Sequence, residues 1–187
     1  MSGLEIFAVI LSVIAVSLTV KKHLLCWLFN FIAAAVYGYL FYCYQLYAET
    51  LLQGFFMLMA IYGFLTWQKN QHQPIDVSHI SRKAAFLQML LTASLGLTFG
   101  LSLHFFTQAA LPILDAQLVA FSLLATYWAS RKYLATWWLW IVLDIIYVGM
   151  FSYKALYLTA ILYAAFVGLA IWGLIQWRQS RLNLAQN

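Results

Sequence analysis

The sequence predicts an all-α integral membrane protein with seven transmembrane helices, and three observations lead to this fold class. Of the 187 residues, 65% are hydrophobic and 8% are charged, whereas soluble domains are about half apolar and about a quarter charged. Apolar stretches recur along the whole chain, and each approaches the roughly 20 residues that cross about 30 Å of hydrocarbon. Helices are expected in these stretches because the strands of a transmembrane barrel would alternate apolar and polar residues with a period of two.

Short polar breaks separate the apolar stretches and define the spans. The predicted spans are residues 3–20, 24–43, 49–67, 84–102, 113–130, 134–152 and 156–177. The first span contains Glu5 and has no basic run before it, which distinguishes it from a cleavable signal peptide. We therefore expect it to remain as the first transmembrane helix.

The basic residues fall mainly on one side of the predicted membrane. Nine of them lie in loops on that side: Lys21, Lys22, Lys69, Arg82, Lys83, Arg131, Lys132, Arg178 and Arg181. Only Lys154 falls on the other side. Cytoplasmic loops carry the excess of Lys and Arg, so the N-terminus is predicted outside and the C-terminus in the cytoplasm. This topology explains the net charge of +5, which does not indicate a nucleic-acid-binding protein.

The cysteines and histidines give no indication of a metal site or another cofactor. Cys26 and Cys43 lie near opposite ends of the second span, about 25 Å apart along a helix, which is too far for a disulfide. The four histidines are scattered over span ends and loops, without the spacing of zinc or haem ligands.

An internal repeat is visible when the chain is compared with itself. A constant shift of 110 residues aligns 3–70 with 113–180 without a gap. The aligned pairs include Trp27 with Trp137, Tyr37 with Tyr147, Phe41 with Phe151, Tyr47 with Tyr157, Phe56 with Phe166, Gly63 with Gly173 and Trp67 with Trp177. General hydrophobicity would not keep Trp, Tyr and Gly in register, so the match indicates two copies of one unit.

The repeat predicts a 3+1+3 arrangement of the seven helices. The predicted divisions are a first three-helix repeat over 1–70, a second over 113–180 and a cytoplasmic tail over 181–187, with a cytoplasmic loop, a linker helix and an outer loop over 71–112. The single linker helix turns the chain round, so both repeats enter the membrane in the same direction. Transporters built from such repeats bind their substrate near the membrane midplane, and transport of a small molecule is the predicted function. An intramembrane enzyme and a non-transporting receptor subunit stay as alternatives, because fold alone does not prove function.

The candidate ligand-facing residues in the second repeat follow one helical face of the sixth span. Trp137, Trp140, Asp144, Tyr147 and Phe151 are separated by steps of 3, 4, 3 and 4 residues. A carboxylate near the middle of a span is costly unless it faces a polar cavity or a partner, so Asp144 is predicted to face the ligand. The aromatic residues near the two ends of the span are alternatively membrane-interface or packing residues.

The first repeat carries the same aromatic residues but lacks the acid, since Ala34 aligns with Asp144. Asn30 and Tyr37 lie on the corresponding face of the second span. Glu49 and Gln53 begin a stripe on the third span, and Gln53 aligns with Tyr163. The predicted ligand-binding residues are Asn30, Tyr37, Glu49, Gln53, Trp137, Trp140, Asp144, Tyr147 and Tyr163.

Two further patterns favour structural roles. Gly96 and Gly100 in the linker helix have the spacing of a close helix–helix contact, with a contact between subunits as one interpretation. Asp115 and Gln117 follow Pro112 near the outer end of the fifth span, where a role in starting the helix is favoured over ligand contact.

The chain resembles the Pnu family of bacterial vitamin transporters, most specifically in its second half. The residues that carry the resemblance are Trp137-Trp138-Leu139-Trp140, Asp144, the run from Tyr153 to Tyr163, Gly173 and Trp177. The resemblance covers nearly the whole chain and implies a fold similar to a full-length SWEET sugar transporter. It also implies a homo-oligomer, a trimer, in the bacterial inner membrane. The implied mechanism is facilitated diffusion of a vitamin followed by trapping through phosphorylation.

Within this family, the resemblance favours the thiamine (PnuT-type) branch over the nicotinamide riboside (PnuC-type) branch. The latter usually has Gly-Trp-x-x-Trp at the end of the third span, whereas this chain has Gly63-Phe64-Leu65-Thr66-Trp67. Both vitamins are flat aromatic cations, so both suit aromatic faces with a compensating carboxylate. Thiamine is the expected ligand and nicotinamide riboside the alternative.

The predicted topology is testable by cysteine labelling in a variant that lacks Cys26 and Cys43. Single cysteines within 44–48 and 104–111 should react with an impermeant reagent added outside, because the basic excess places these segments there. Cysteines within 70–80 should react only after the cytoplasmic side is opened. The reverse labelling pattern would overturn the orientation.

Overall fold

The computed structural model describes residues 3–45, 47–69, 77–106, 111–153 and 155–184, and this part of the chain forms seven α-helices. They are α1 (Gly3–Val20), α2 (Leu25–Cys43), α3 (Tyr47–Lys69), α4 (Arg82–Phe106), α5 (Pro112–Ser130), α6 (Ala135–Tyr153) and α7 (Tyr157–Leu184). All seven are long and apolar enough to cross a membrane. The predicted all-helical, seven-span fold class is therefore confirmed.

Two helices extend clearly beyond their predicted spans. The α4 helix begins at Arg82 because the Ser81 hydroxyl accepts a hydrogen bond from the backbone N–H of Ala84 at 3.2 Å, which caps the helix before its first apolar turn. The α7 helix continues to Leu184 through a segment with Gln, Arg and Leu, which favour helix, and without Gly or Pro. Hydropathy marks the segment within the membrane, whereas these helix ends depend on capping and propensity.

Some predicted features lie outside the described residues. The residues that are not described are 1–2, 46, 70–76, 107–110, 154 and 185–187. They include Lys154, the basic residue predicted on the outer side, and parts of the loops and of the tail.

The chain divides into two compact units, and the first consists of residues 1–76 and 172–187. Within it, α2 packs against α1 and α3. The C-terminal part of α7 is held by Trp177, whose indole N–H donates to the Val20 carbonyl at 3.0 Å and whose ring centroid lies 6.5 Å from that of Trp67. The ammonium of Lys22 also donates to the Ser180 hydroxyl. A buried aromatic contact and two polar links therefore join the end of α7 to α1 and α3.

The second unit consists of residues 77–171, and in it α5 packs against both α4 and α6. Gly96 and Gly100 allow α4 to approach α5 closely. A Cβ on Gly100 would lie 2.8 Å from the Ile113 Cα, and one on Gly96 would lie 3.0 Å from the Gln117 Oε1. The glycine pair therefore makes the close helix–helix contact that its spacing predicts, and this contact is between α4 and α5 of one chain.

Polar side chains add direct links between α4 and α5. The Gln117 amide donates to the Ala93 carbonyl at 2.9 Å, and the Trp128 indole N–H donates to the Gln88 Oε1 at 2.6 Å. Such bonds are favourable in a membrane because the groups would otherwise lack partners in hydrocarbon. A role in starting the helix is predicted for Gln117, whereas its side chain here bonds to α4.

The turns that flank α2 have the same backbone conformation as those that flank α6. Lys22 and Lys132 have φ values of 54° and 55°, and Gln45 and Ala155 have values of 59° and 57°. Positive φ is uncommon for residues other than glycine, and each pair is separated by the same 110 positions. The local structure therefore repeats at the shift found in the sequence.

The close packing of α4 on α5 yields a prediction for glycine substitution. Gly100→Ala should lower the free energy of unfolding by about 1–3 kcal/mol, because the added methyl group would meet the backbone of α5. The matched control is Gly149→Ala in α6, where a Cβ would meet nothing within 4 Å and helix propensity alone should stabilise by up to about 1 kcal/mol. Thermal unfolding in detergent measures both, and equal melting temperatures would contradict the packing argument.

Candidate functional site

The predicted ligand-facing stripe of α6 lies on the buried side of that helix. Asp144 is the tenth of the 19 residues of α6 and is only 4% exposed. Trp137 and Tyr147 are also buried, and Trp140 is half-buried. The opposite side is apolar and exposed, with exposed fractions of 60% for Trp138, 51% for Val142 and 55% for Ile145. The helix therefore presents a lipid-compatible side and a buried side with a central carboxylate.

Two aromatic residues that follow Asp144 on α6 form a stack with one ring from α7. The Tyr163 ring centroid lies 4.6 Å from that of Tyr147 and 5.1 Å from that of Phe151. Tyr147 and Phe151 themselves stack at 5.9 Å with an interplanar angle of 16°. Trp140, like Tyr163, packs against a buried apolar cluster that includes Tyr147. The structure thus brings together Trp140, Tyr147 and Tyr163 from the predicted set.

Ser122 is a residue that the sequence analysis missed. It is buried on α5, is a hydrogen-bond partner of the Tyr147 hydroxyl and donates to the Leu118 carbonyl at 2.8 Å. The internal repeat could have indicated this serine, because Ser12 aligns with it at the shift of 110 residues. Ser12 makes the equivalent bond, to the Ala8 carbonyl at 3.0 Å. Ser122 orients the Tyr147 ring from the side of α5.

The charge of Asp144 has no basic counterpart on the helical segments of its own unit around α6. Residues 112–130, 135–153 and 157–171 contain no Lys, Arg or His. Burying a carboxylate without compensation is costly. A positive charge supplied by a ligand would compensate it, and the nearby rings would attract the same charge through their faces.

The first unit contains the remaining predicted residues. Tyr37 stacks on Phe41 with centroids 6.1 Å apart and an interplanar angle of 22°, which closely matches the equivalent pair in α6. Asn30 is half-buried and donates to the Cys26 carbonyl of its own helix at 2.9 Å. The position equivalent to Asp144 is the buried Ala34. The aromatic stacking is therefore shared by both units, and the acid is not.

Gln53 and Glu49 lie on α3 and are both half-buried. Gln53 packs close to Gly38 of α2, where an added Cβ would lie 3.3 Å from the Gln53 Cβ. Glu49 lies in the first turn of the helix, where the helix dipole favours an acid. The structure thus places Gln53 against α2 and Glu49 at the start of α3.

The segment from Gly63 to Trp67 has a packing role that the sequence did not reveal. A Cβ on Gly63 would lie 2.5 Å from ring atoms of Trp27, and the Trp27 and Trp67 rings meet edge to face at 5.4 Å. Trp27 is buried, and its indole N–H has no hydrogen-bond acceptor among the described residues. The glycine and the tryptophan of this motif therefore pack around Trp27, with the half-buried Phe64 between them in the sequence.

Comparison with known proteins places the chain among transporters. The family model described as nicotinamide mononucleotide transporter matches residues 2–179. The nicotinamide riboside transporter PnuC of Escherichia coli is 23% identical, and the match covers 96% of this chain and 87% of that protein. The riboflavin/roseoflavin transporter RibM of Streptomyces davaonensis is 24% identical over 90% of this chain and 81% of its own.

A further relative and a solved structure agree with this placement. The nicotinamide riboside transporter PnuC of Neisseria mucosa is 25% identical, covering 81% of this chain and 60% of that protein. The crystal structure of the vitamin B3 transporter PnuC matches with a TM-score of 0.73 at 22% identity, covering 94% of this chain and 80% of that one. This structural match shows the shared fold, and the three relatives are named for nicotinamide riboside or riboflavin, not for thiamine. Because the family model matches almost the whole chain, this seven-helix membrane protein belongs to the nicotinamide mononucleotide transporter family.

Proposed function

We propose that the chain carries nicotinamide riboside across the bacterial inner membrane by facilitated diffusion. The observation that carries the proposal is the carboxylate of Asp144, which is buried at the middle of α6. The nicotinamide ring of this nucleoside is a pyridinium with a permanent positive charge. Such a ring would compensate Asp144 in a low-dielectric site, where charge pairs interact strongly.

The aromatic residues of the second unit complement the other properties of this ligand. A flat cation is attracted to the faces of Trp and Tyr rings, which Trp140, Tyr147 and Tyr163 provide in the same unit as Asp144. Trp137 continues the same face of α6. The first unit carries Asn30, Tyr37, Glu49 and Gln53, and we propose their amide, phenol and carboxylate groups as further ligand-binding groups.

Nicotinamide riboside replaces thiamine as the preferred ligand. The sequence alone favoured thiamine because Phe64 stands where the nicotinamide riboside branch usually has Trp. Two of the relatives named above are nicotinamide riboside transporters, and Gly63 and Trp67 of the same motif are present and pack around Trp27. Thiamine stays the second candidate because of one observation, the presence of Phe64 where the nicotinamide riboside branch usually has Trp.

The mechanism we propose needs no separate energy source. The sequence contains no phosphate-binding loop of the type G-x-x-x-x-G-K-[ST]. A membrane potential of 100 mV is worth about 2.3 kcal/mol for one positive charge, which supports roughly fiftyfold accumulation. Phosphorylation inside the cell would retain the nucleoside.

We also propose an orientation and an oligomeric state for the chain in the membrane. The N-terminus faces outward and the C-terminus faces the cytoplasm, on the basis of the basic residues. The repeated turn conformations and the matched aromatic pairs support two parallel three-helix repeats, as in a full-length SWEET transporter. A homo-oligomer, a trimer by family resemblance, is part of the same proposal.

Uptake into protein-only liposomes tests the function directly. Labelled nicotinamide riboside should enter without ATP and should accumulate when the interior is negative, because the ligand carries one positive charge. Unlabelled nicotinamide riboside should compete at least tenfold better than thiamine, a difference of about 1.4 kcal/mol.

The reduced form of the nucleoside is the matched control ligand, because its dihydropyridine ring has no charge. It should equilibrate without responding to the potential. Stronger competition by thiamine would move the protein to the second candidate, and tight binding without uptake would indicate a receptor subunit.

The role of Asp144 is tested by Asp144→Asn, which keeps the shape and removes the charge. Binding of oxidised nicotinamide riboside should weaken by about 1.5–3 kcal/mol, the scale of a charge-assisted contact. Binding of the reduced nucleoside should change much less. Isothermal titration calorimetry of the purified variants measures both affinities.

The control variant is Asp76→Asn, which removes one negative charge from the predicted cytoplasmic loop and should leave both affinities unchanged. A melting temperature should accompany each measurement. Equal losses for the two ligands together with lower stability would mean that Asp144 supports the structure and does not bind the cation.

A further inference from the structure

A second acid, Asp115, lies in the same unit as Asp144 and is not one of the proposed ligand-binding residues. It lies in the first turn of α5 and is half-buried. By the predicted topology this is the outer end of the helix. This position favours a role in starting the helix, because an acid in the first turn interacts well with the helix dipole.

The position of Asp115 on α5 relates it to the stacked tyrosine of α6. Asp115, Leu118, Ser122 and Ala125 follow one another at steps of 3, 4 and 3 residues, which places them on one face. The last three are buried, and α6 packs here, since the Thr136 hydroxyl donates to the Ala125 carbonyl at 2.8 Å. Asp115 is therefore the outermost residue of the face that α5 turns towards α6.

Tyr147 interacts electrostatically with both acids of the unit, Asp115 and Asp144. Its hydroxyl is bonded to Ser122, which lies about 10 Å along α5 from Asp115. Asp144 precedes Tyr147 by less than one turn of α6. The tyrosine that belongs to the aromatic stack thus has one carboxylate towards the predicted outer end and another at the middle of the membrane.

The first repeat contains the same constellation 110 positions earlier. Glu5, Ala8, Ser12 and Ala15 correspond to Asp115, Leu118, Ser122 and Ala125. Ser12 makes the same bond within its helix as Ser122, and Glu5 interacts electrostatically with Tyr37, the equivalent of Tyr147. A helix-dipole role explains an acid at the start of each helix, but it does not require that each acid act on the equivalent stacked tyrosine.

We propose that Asp115 is an outer cation-binding residue, which holds the positively charged ring of the ligand beside Tyr147 before that ring reaches Asp144. This inference rests on the proposed function, since it concerns the same cationic ligand. The buried Asp144, with no basic residue among residues 112–130, 135–153 and 157–171, marks the end point of the path. Glu5 and Tyr37 form the corresponding pair in the first unit.

An outer carboxylate would act mainly on capture of the ligand. A charge at the edge of a binding site raises the local concentration of an oppositely charged ligand and its association rate, and this effect decreases with salt. The later steps of transport would be unaffected, because they depend on Asp144 and the aromatic stack. Loss of the charge at position 115 should therefore change KM more than the maximal rate.

The test compares Asp115→Asn with the wild type in liposome uptake of oxidised nicotinamide riboside. We expect KM to rise by about three- to tenfold at low salt, with the maximal rate within about twofold and with a weaker dependence of KM on salt. Asp115→Glu should have a KM close to that of the wild type because it keeps the negative charge. Uptake of the neutral reduced nucleoside should be unchanged in both variants, and Asp76→Asn serves as the charge-matched control.

Each other outcome decides against the proposal. An unchanged KM in Asp115→Asn, with normal uptake by the wild type, would overturn it and leave the proposed function intact. Equal effects on both nucleosides with a lower melting temperature would assign Asp115 to the helix start alone. If the wild type takes up no cationic vitamin, the proposed function fails and this inference fails with it.

Discussion

The cost of leaving polar and charged groups unpaired in hydrocarbon is the constraint on which this structure depends. Hydroxyl groups within the helices meet it locally by donating to the carbonyl one turn earlier. These hydroxyls belong to Ser12, Thr19, Thr66, Ser94, Thr98, Ser102, Ser122 and Thr126. Asp144 differs from them, because a carboxylate cannot donate to its own backbone and the segments around it carry no basic side chain. Because the same cost keeps charged residues rare in the spans, Asp144 is a candidate for a functional residue.

Small residues allow close packing at two places in the structure. Lipid is as apolar as the helices, so association in a membrane depends on contact and on buried polar bonds. Gly96 and Gly100 let α4 lie against α5, and Gly63 leaves room for the Trp27 ring. Between α6 and α7 the aromatic rings themselves make the contact, at centroid distances of 4.6 and 5.1 Å.

The two units share their framework and differ where the candidate site would need to differ. Turn conformations, the serine-to-carbonyl bonds and the tyrosine–phenylalanine stacking recur at a constant shift. In contrast, Ala34 is replaced by Asp144 and Gln53 by Tyr163. The second unit therefore carries a buried carboxylate and an additional tyrosine at positions where the first carries an alanine and an amide.

The sequence by itself determined the seven spans, the buried face of α6 and the repeat, because hydropathy, helical period and register are properties of neighbouring residues along the chain. Only the tertiary structure decided which distant groups meet. It assigned the glycine pair of α4 to α5, joined Ser122 to Tyr147 and placed Tyr163 of α7 on the rings of α6. Helix ends such as Leu184 also needed the structure. Partner choice depends on the packing of whole helices, and no local pattern specifies which face of a neighbour a side chain reaches.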